Sequence, residues 1–321
     1  MFTLAELEAA ADFVHIHMPP TPQYAWPLLA RRTGAQVWVK HENHTPIGAF
    51  KVRGGLIYMD ELRRSGAKVA GVITATRGNH GQSIARAAAA AGFASTVLVP
   101  HGNSVEKNAA MRAFGAELIE CGRDFDEARD EAYRLAGERH LLYVPSFDPA
   151  LVKGVATYAL KLFRSIELDA VYVPIGMGSG ICGLIAARDL LGLATDIIGV
   201  VAEAAPCVAL SFEAGRPVPT NSAATFADGM ACRVPNAEAL AMIRKGAARI
   251  VRVGEDEIAE AMRAYYADTH NLVEGAGAAP LAALMRELPQ QKGRRVGLIA
   301  SGGNIDRAAF ATVLSGGTPA P

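Results

Sequence analysis

VYVPIGMGSGICG, residues 171–183, joins a short run of strand-forming residues to a glycine-rich turn and then to a helical pattern. Similar transitions recur along the 321-residue chain, for example at VAGVITAT (69–76) and RRVGLIAS (294–301). Strands that alternate with helices are typical of parallel sheets, because a helical crossover returns the chain to the same end of the sheet. The sequence therefore predicts an α/β fold whose parallel-rich sheets are covered by helices on both faces.

The composition is that of an ordinary globular protein with a small-molecule partner. Half of the residues are hydrophobic, and 32 basic side chains balance 32 acidic ones. Single cores stop growing at roughly 250 to 300 residues, so a chain of this length is expected to form one or two domains. Zero net charge without a basic run gives no electrostatic attraction for nucleic acid or for an anionic membrane surface.

The sequence gives no sign of export or of membrane insertion. Residues 1–13, MFTLAELEAAADF, lack a basic region followed by an apolar one and predict a short acidic helix. Residues 87–99 are weakly polar but fall short of the roughly 20 apolar residues of a membrane span. The four cysteines are far apart and form no CxxC pair, which argues against disulfides and a zinc cluster. We expect a cytoplasmic protein.

The segment HENHTPIGAFKVRGG, residues 41–55, places Lys51 between apolar neighbours and ahead of two glycines. Burial destabilises the charged form of a lysine, so its pKa falls and its amine can condense with an aldehyde. This is the chemistry of a Schiff-base lysine.

Two further segments predict anion sites. In ITATRGNHGQSIA, residues 73–85, a strand ends, Gly78 turns the chain and a helix begins near His80, whose free backbone N–H groups attract an anion. In residues 171–183, glycines at every second position let the backbone approach a phosphate. One site suits a phosphate and the other a carboxylate.

A nicotinamide site at residues 171–183 is disfavoured. The glycine spacing there is GxGxG, and Asp196, the acid about 20 residues further on, precedes its strand where a dinucleotide site needs the acid at the end of the strand.

Taken together, these motifs resemble the fold-type II pyridoxal-phosphate enzymes, which share the fold of the tryptophan synthase β subunit. The closest branch is that of serine/threonine dehydratases and serine racemase. The resemblance implies two lobes with pyridoxal 5'-phosphate between them: a large one of residues 1–54 and 146–321, and a small one of residues 55–145. It also implies a Schiff base on Lys51.

The resemblance assigns roles to individual residues. Phe50 lies beside the cofactor, Asn79 bonds its 3'-oxygen, and Ser301 of the SGGN motif faces its pyridine nitrogen. The phosphate loop consists of Gly176, Met177, Gly178, Ser179 and Gly180. The substrate carboxylate is held by Thr76 and by the backbone of Gly78, Asn79 and His80. Arg77 is a further candidate for contact with the substrate.

The residue opposite the pyridine nitrogen indicates the type of reaction. A hydroxyl at Ser301 does not enforce a protonated pyridine as an Asp would, so electron density stays near Cα and a β-substituent is lost readily. The implied enzyme is an ammonia-lyase: Lys51 removes the Cα proton, the β-hydroxyl leaves, and hydrolysis gives a 2-oxo acid and ammonia. Threonine or serine is the expected type of substrate.

Arg77 departs from the family, because related dehydratases have Ala at this position and racemases have a Ser that protonates Cα. Arginine is a poor proton donor, which disfavours a racemase. Its guanidinium either lies in solvent or binds a second anionic group, as 3-hydroxyaspartate would provide. A β-replacing synthase and a binding protein that holds the cofactor without turnover are further alternatives.

The family's divalent metal site is incomplete in this sequence. Glu203 and Cys207 match its first two ligand positions, but Ala209 stands at the third. We therefore expect no divalent metal, with Glu203 as the lone candidate ligand. A homodimer or higher homo-oligomer is expected.

Overall fold

The computed structural model describes all 321 residues, and its strands form two separate sheets. The strands of the larger sheet are β1 (Gln23–Ala25), β2 (Gln36–His41), β7 (Ala170–Pro174), β8 (Asp196–Ala202), β9 (Arg249–Val253) and β10 (Arg295–Ala300). They lie in the order β1-β2-β10-β7-β8-β9, and only β1 is antiparallel to its neighbour.

The smaller sheet is entirely parallel, in the order β5-β4-β3-β6. Its strands are β3 (Val72–Ala75), β4 (Ser95–Val99), β5 (Glu117–Glu120) and β6 (Leu142–Tyr143). All four lie inside the predicted small lobe of residues 55–145. The lobe boundaries stay a prediction, and the helix that starts at Lys51 continues through the first of them to Arg64.

Fourteen α-helices accompany the strands. They are α1 (Leu4–His17), α2 (Pro27–Thr33), α3 (Lys51–Arg64), α4 (Asn79–Ala91), α5 (Val105–Ala113), α6 (Phe125–Glu138), α7 (Pro149–Ser165), α8 (Ser179–Leu190), α9 (Cys207–Ala214), α10 (Ala237–Gly246), α11 (Glu255–Thr269), α12 (Gly275–Arg286), α13 (Leu288–Gln291) and α14 (Arg307–Leu314). The predicted N-terminal helix is confirmed by α1. No helix combines the length and the apolar character that a membrane span requires.

The larger sheet is buried on both faces. Side chains alternate between the faces of a strand, so Val171 and Val173 of β7 belong to one hydrophobic cluster while Ala170 and Tyr172 belong to the other. Helices α7 and α8 pack on the first face, and α11 and α12 pack on the second. The predicted α/β fold with helix-covered parallel sheets is confirmed.

Glycines allow α3 to cross α7 at close range. A Cβ atom on Gly154 would lie 2.2 Å from the Arg53 carbonyl oxygen, and one on Gly54 would lie 2.9 Å from the Leu151 carbonyl oxygen. These contacts fix the first turn of α3, where Lys51 is located.

A buried ion pair holds the same turn from the other side. The Arg53 guanidinium donates to both carboxylate oxygens of Glu42, at 2.7 Å from Nε and 3.0 Å from Nη2, and both side chains are buried. The Thr21 hydroxyl also donates to Glu42, at 2.5 Å, and Lys40 Nζ donates to the Thr21 carbonyl oxygen at 2.8 Å. This network connects the N-terminal segment to α3.

Candidate active site

A cavity of about 390 Å³ opens where the turns after β3, β7 and β10 meet. Its lining contains every cofactor- and substrate-binding residue predicted from the sequence. These are Phe50, Lys51, Thr76, Arg77, Gly78, Asn79, His80, Gly176, Met177, Gly178, Ser179, Gly180 and Ser301. The structure thus brings the three predicted segments together at one place, where the turn after β3 of the smaller sheet faces the turns after β7 and β10 of the larger sheet.

Lys51 is the first residue of α3, and its amine faces residues from the large-sheet loop. Its Nζ lies 3.0 Å from the Ser179 hydroxyl and 5.1 Å from the centre of the Phe50 ring. Burial lowers the pKa of Lys51 to about 8, and no acidic group opposes this effect. With this pKa about one lysine in ten is neutral at pH 7, far more than at the usual pKa, so its amine is more readily available as nucleophile and as base.

The glycine-rich turn after β7 leads directly into α8. Gly178 has a φ of +100°, which favours glycine, and α8 begins at the next residue. A Cβ atom on Gly176 would lie 2.3 Å from the Gly229 carbonyl oxygen, so the turn is pressed against the segment behind it. The N-terminus of α8 therefore presents free N–H groups to the cavity, which suits a phosphate.

Two non-glycine residues of this turn have different environments. The Met177 sulfur lies 3.6 Å from Cys232 Sγ, so its side chain packs against the segment between α9 and α10. The Ser179 hydroxyl is buried and is the acceptor for Lys51 Nζ.

Asn79 is the first residue of α4, and both ends of its amide are held. Its Oδ1 accepts a hydrogen bond of 2.8 Å from Asn304 Nδ2, and its Nδ2 donates one of 2.7 Å to Glu274 Oε1. A carboxylate accepts only, so the NH₂ group of Asn79 must face Glu274. The second N–H of that group remains available as a donor, which suits an anionic cofactor oxygen.

The turn before Asn79 is shaped for a carboxylate. The Thr76 hydroxyl accepts from the backbone N–H groups of Gly78 and Gly81, at 2.9 and 3.3 Å, so its own proton is free to be donated. Burial, followed by the charge of Lys51, lowers the pKa of His80 to about 3. His80 is therefore neutral, and the helix N-terminus supplies the attraction for an anion.

Ser301 directly follows β10 and is buried at the cavity wall. Its carbonyl oxygen accepts a 2.9 Å hydrogen bond from the Phe50 N–H, which ties β10 to the start of α3. Its hydroxyl makes no hydrogen bond to the protein, so it can bond a ring nitrogen in the cavity.

Arg77 lines the same cavity but is exposed and forms no ion pair. Two other arginines of the lining are paired. Arg129 lies 2.7 Å from Asp126, and Arg233 reaches across to Asp124 at 3.3 Å and also contacts Asp126. Arg77 is thus the guanidinium that is free to bind a ligand.

Sequence reasoning missed a group of charged residues next to Asn79. Lys107 Nζ lies 2.5 Å from Asp228 Oδ2 and 3.8 Å from Glu274 Oε2. Neither Asp228 nor Glu274 was assigned a role from the sequence. No motif marks Lys107.

The residues present fit pyridoxal phosphate. The cavity offers an amine of lowered pKa for the aldehyde, a glycine turn at a helix N-terminus for the phosphate, and an unpaired hydroxyl at Ser301 for the ring nitrogen. The free N–H of Asn79 suits the 3'-oxygen. Glu203, the lone candidate metal ligand, lies outside this cavity and pairs with Arg286 at 2.9 Å.

Comparison with known proteins gives the class. Residues 14–302 match the family described as pyridoxal-phosphate dependent enzyme. The match spans most of the chain, so the chain belongs to this family.

Individual relatives within this family are ammonia-lyases and threonine deaminases. The L-threonine ammonia-lyase of Geobacter sulfurreducens is 38% identical over 90% of this chain and 72% of that protein. The L-threo-3-hydroxyaspartate ammonia-lyase of Saccharomyces cerevisiae is 30% identical over 99% of this chain and 98% of that protein. The structure of the processed form of threonine deaminase isoform 2 from Solanum lycopersicum superposes with a TM-score of 0.87 at 29% identity, over 98% of this chain and 94% of that one. The predicted family, fold, cofactor and ammonia-lyase class are confirmed.

Proposed function

We propose that this ammonia-lyase acts on a threonine- or serine-type β-hydroxy amino acid and releases a 2-oxo acid and ammonia. Lys51 carries the proposal, because its amine opens on the cavity with a pKa lowered to about 8. Relatives named for threonine, at up to 38% identity, support the choice of substrate.

The chain's own residues supply binding, orientation and proton transfer. Pyridoxal phosphate, when bound, supplies the electron-withdrawing ring that makes a Cα proton acidic. The start of α4, with the free proton of Thr76, binds the substrate carboxylate and so presents Cα toward Lys51 Nζ. Lys51 accepts the Cα proton. The neutral hydroxyl of Ser301 leaves electron density near Cα, which favours departure of the β-hydroxyl.

Arg77 supports a second candidate, a substrate with an additional carboxylate such as 3-hydroxyaspartate. It is the unpaired guanidinium of the cavity lining, and a planar guanidinium binds a carboxylate through two parallel hydrogen bonds. The yeast relative is named for this type of substrate. A racemase is disfavoured because Arg77 is a poor proton donor for the opposite face of Cα.

Comparison of kcat/KM for threonine, serine and 3-hydroxyaspartate tests both candidates. If Arg77 binds the second carboxylate, Arg77→Ala should raise the activation free energy that kcat/KM reports for 3-hydroxyaspartate by about 2 to 3 kcal/mol. The kcat/KM for threonine should stay nearly unchanged. Arg129→Ala is the matched control, because Arg129 lines the same cavity but is already paired with Asp126. Equal losses for all three substrates assign Arg77 a structural role and leave threonine or serine as the substrate. Absence of 2-oxo acid with every substrate contradicts the proposed function.

We infer further that the enzyme is a homo-oligomer, at least a dimer, of the cytoplasm. The antiparallel strand β1 lies at the edge of the larger sheet with Tyr24 exposed, and an exposed edge of this kind supports association between copies. Sedimentation velocity of the cofactor-loaded protein tests the subunit count.

A further inference from the structure

Lys107 connects the parts of the chain that carry the two sheets. It lies on α5, which joins strands β4 and β5 of the smaller sheet, and its side chain is buried. Its partners Asp228 and Glu274 lie beyond β8 and at the start of α12, among the elements of the larger sheet. The ion pairs therefore cross from one lobe to the other.

The same lysine packs on the turn that precedes Asn79. A Cβ atom on Gly78 would lie 2.4 Å from Lys107 Cδ, so the aliphatic stem touches the backbone of this turn. Lys107 thus contacts the Asn79 region through its stem and the two carboxylates through its ammonium group.

Glu274 links this cluster to Asn79. Its Oε1 accepts from Asn79 Nδ2 at 2.7 Å, while its buried Oε2 has no hydrogen-bond partner and faces Lys107 at 3.8 Å. Burial, together with the charge of Asp228, raises the pKa of Glu274 and Lys107 lowers it, for a net pKa of about 7. Lys107 and Asp228 are the charged groups facing Glu274, and the Asn79 amide donates to it.

Two neighbours set the orientation of the Asn79 amide: Asn304 Nδ2 donates to its Oδ1, and Glu274 accepts from its Nδ2. A charged carboxylate can only accept, so it requires the NH₂ group of Asn79 to face it. A neutral carboxyl can also donate, so it no longer requires this orientation, and Asn304 alone then opposes reversal of the amide. In the reversed orientation the second N–H of Asn79 is no longer directed at the place proposed for the cofactor's 3'-oxygen.

We propose that Lys107 is a positioning residue that favours the charged form of Glu274 and thereby, together with Asn304, holds the Asn79 amide in the orientation that donates to the cofactor's 3'-oxygen. This role rests on the proposed function only in its assignment of Asn79 to the cofactor. The burial of Lys107 is compensated by the two carboxylates, which outweigh desolvation and raise its pKa above the usual value. Lys107 therefore stays charged throughout the working pH range.

Two substitutions should shift the pH dependence of the holoenzyme in opposite directions. Lys107→Met removes the positive charge, so the pKa of Glu274 rises and the acid limb of kcat/KM should move to higher pH by about 1 to 3 units. Asp228→Asn removes a negative charge, so the acid limb should move to lower pH. Lys107→Arg keeps the charge and should retain the wild-type limb.

A second readout needs no turnover. The pH titration of the cofactor's visible absorbance, without substrate, should shift with the same signs, and Lys107→Met should cause no further shift in a Glu274→Gln background. The proposal is overturned if the pH profiles of Lys107→Met and Asp228→Asn shift in the same direction. It is also overturned if these variants lose activity without any shift of their pH profiles. If Lys107→Met does not fold, the proposal is tested by Asp228→Asn alone, whose acid limb and absorbance titration should both move to lower pH. Absorbance shifts without 2-oxo acid from any substrate would contradict the proposed function but leave the role of Lys107 intact.

Discussion

Glu42→Gln keeps the size of the side chain but removes the carboxylate that compensates Arg53 and Lys40 in the interior. Breaking a buried ion pair by neutralising one partner costs about 3 to 5 kcal/mol, because the other charge stays buried. Burial alone would raise the pKa of Glu42, but Arg53 and Lys40 outweigh it and hold that pKa below its usual value. The stabilisation by Glu42 is therefore fully present above its unfolded pKa and is lost as the pH falls.

Urea unfolding of the cofactor-free protein at pH 7 measures this loss. Burial lowers the pKa of Lys40 to about 8, so Lys40 can release its proton as the pH rises, and the deficit of Glu42→Gln should shrink at pH 9. Glu213→Gln is the control, because its partner Arg252 at 2.6 Å is partly exposed and such surface pairs contribute less than about 1 kcal/mol. A Glu42→Gln loss no larger than that of the control would refute the reasoning.

Three further predictions concern the cofactor site. Lys51→Ala should lose both the visible cofactor absorbance and 2-oxo acid release; retention of both would contradict the assignment of Lys51. Ser301→Asp adds a carboxylate that would keep a ring nitrogen protonated, so elimination should slow relative to deuterium exchange at Cα, and an unchanged ratio would count against the role of Ser301. Gly176→Ala places a Cβ atom 2.3 Å from the Gly229 carbonyl oxygen, so the phosphate turn must shift; cofactor affinity, measured by absorbance titration, should fall by about tenfold or more.

The cavity could be predicted because each part of it is local in sequence. The strand, the turn and the helix start that bind an anion lie within residues 73–85 in one case and 171–183 in the other. The two turns end strands of different sheets, so their meeting at one cavity was implied by the resemblance to the fold-type II enzymes and not by strand order. The role of Lys51 likewise rested on the motifs taken together, because apolar neighbours and following glycines alone are a weak signal.

The charged groups around Asn79 could not be predicted in the same way. Lys107 is separated from Asp228 by 121 positions, and Asn79 from Glu274 by 195. A charged residue on a helix is most often solvated, and nothing local to Lys107 indicates burial. The contact between Lys51 and Ser179 is also long-range, across 128 positions, and the sequence predicted Ser179 only as part of the phosphate loop.

The distribution of charge explains how Lys51 can serve as a base near neutral pH. Only burial acts on its pKa, and no acid of the cavity lining raises it. Lys107 compensates Asp228 and Glu274, and Arg233 compensates Asp124. An uncompensated carboxylate near Lys51 would favour its ammonium form and raise its pKa, so less of the amine would be free to accept a Cα proton. The cavity acids contact Lys107 and Arg233 and not Lys51, so the amine of Lys51 keeps the lowered pKa that a base needs.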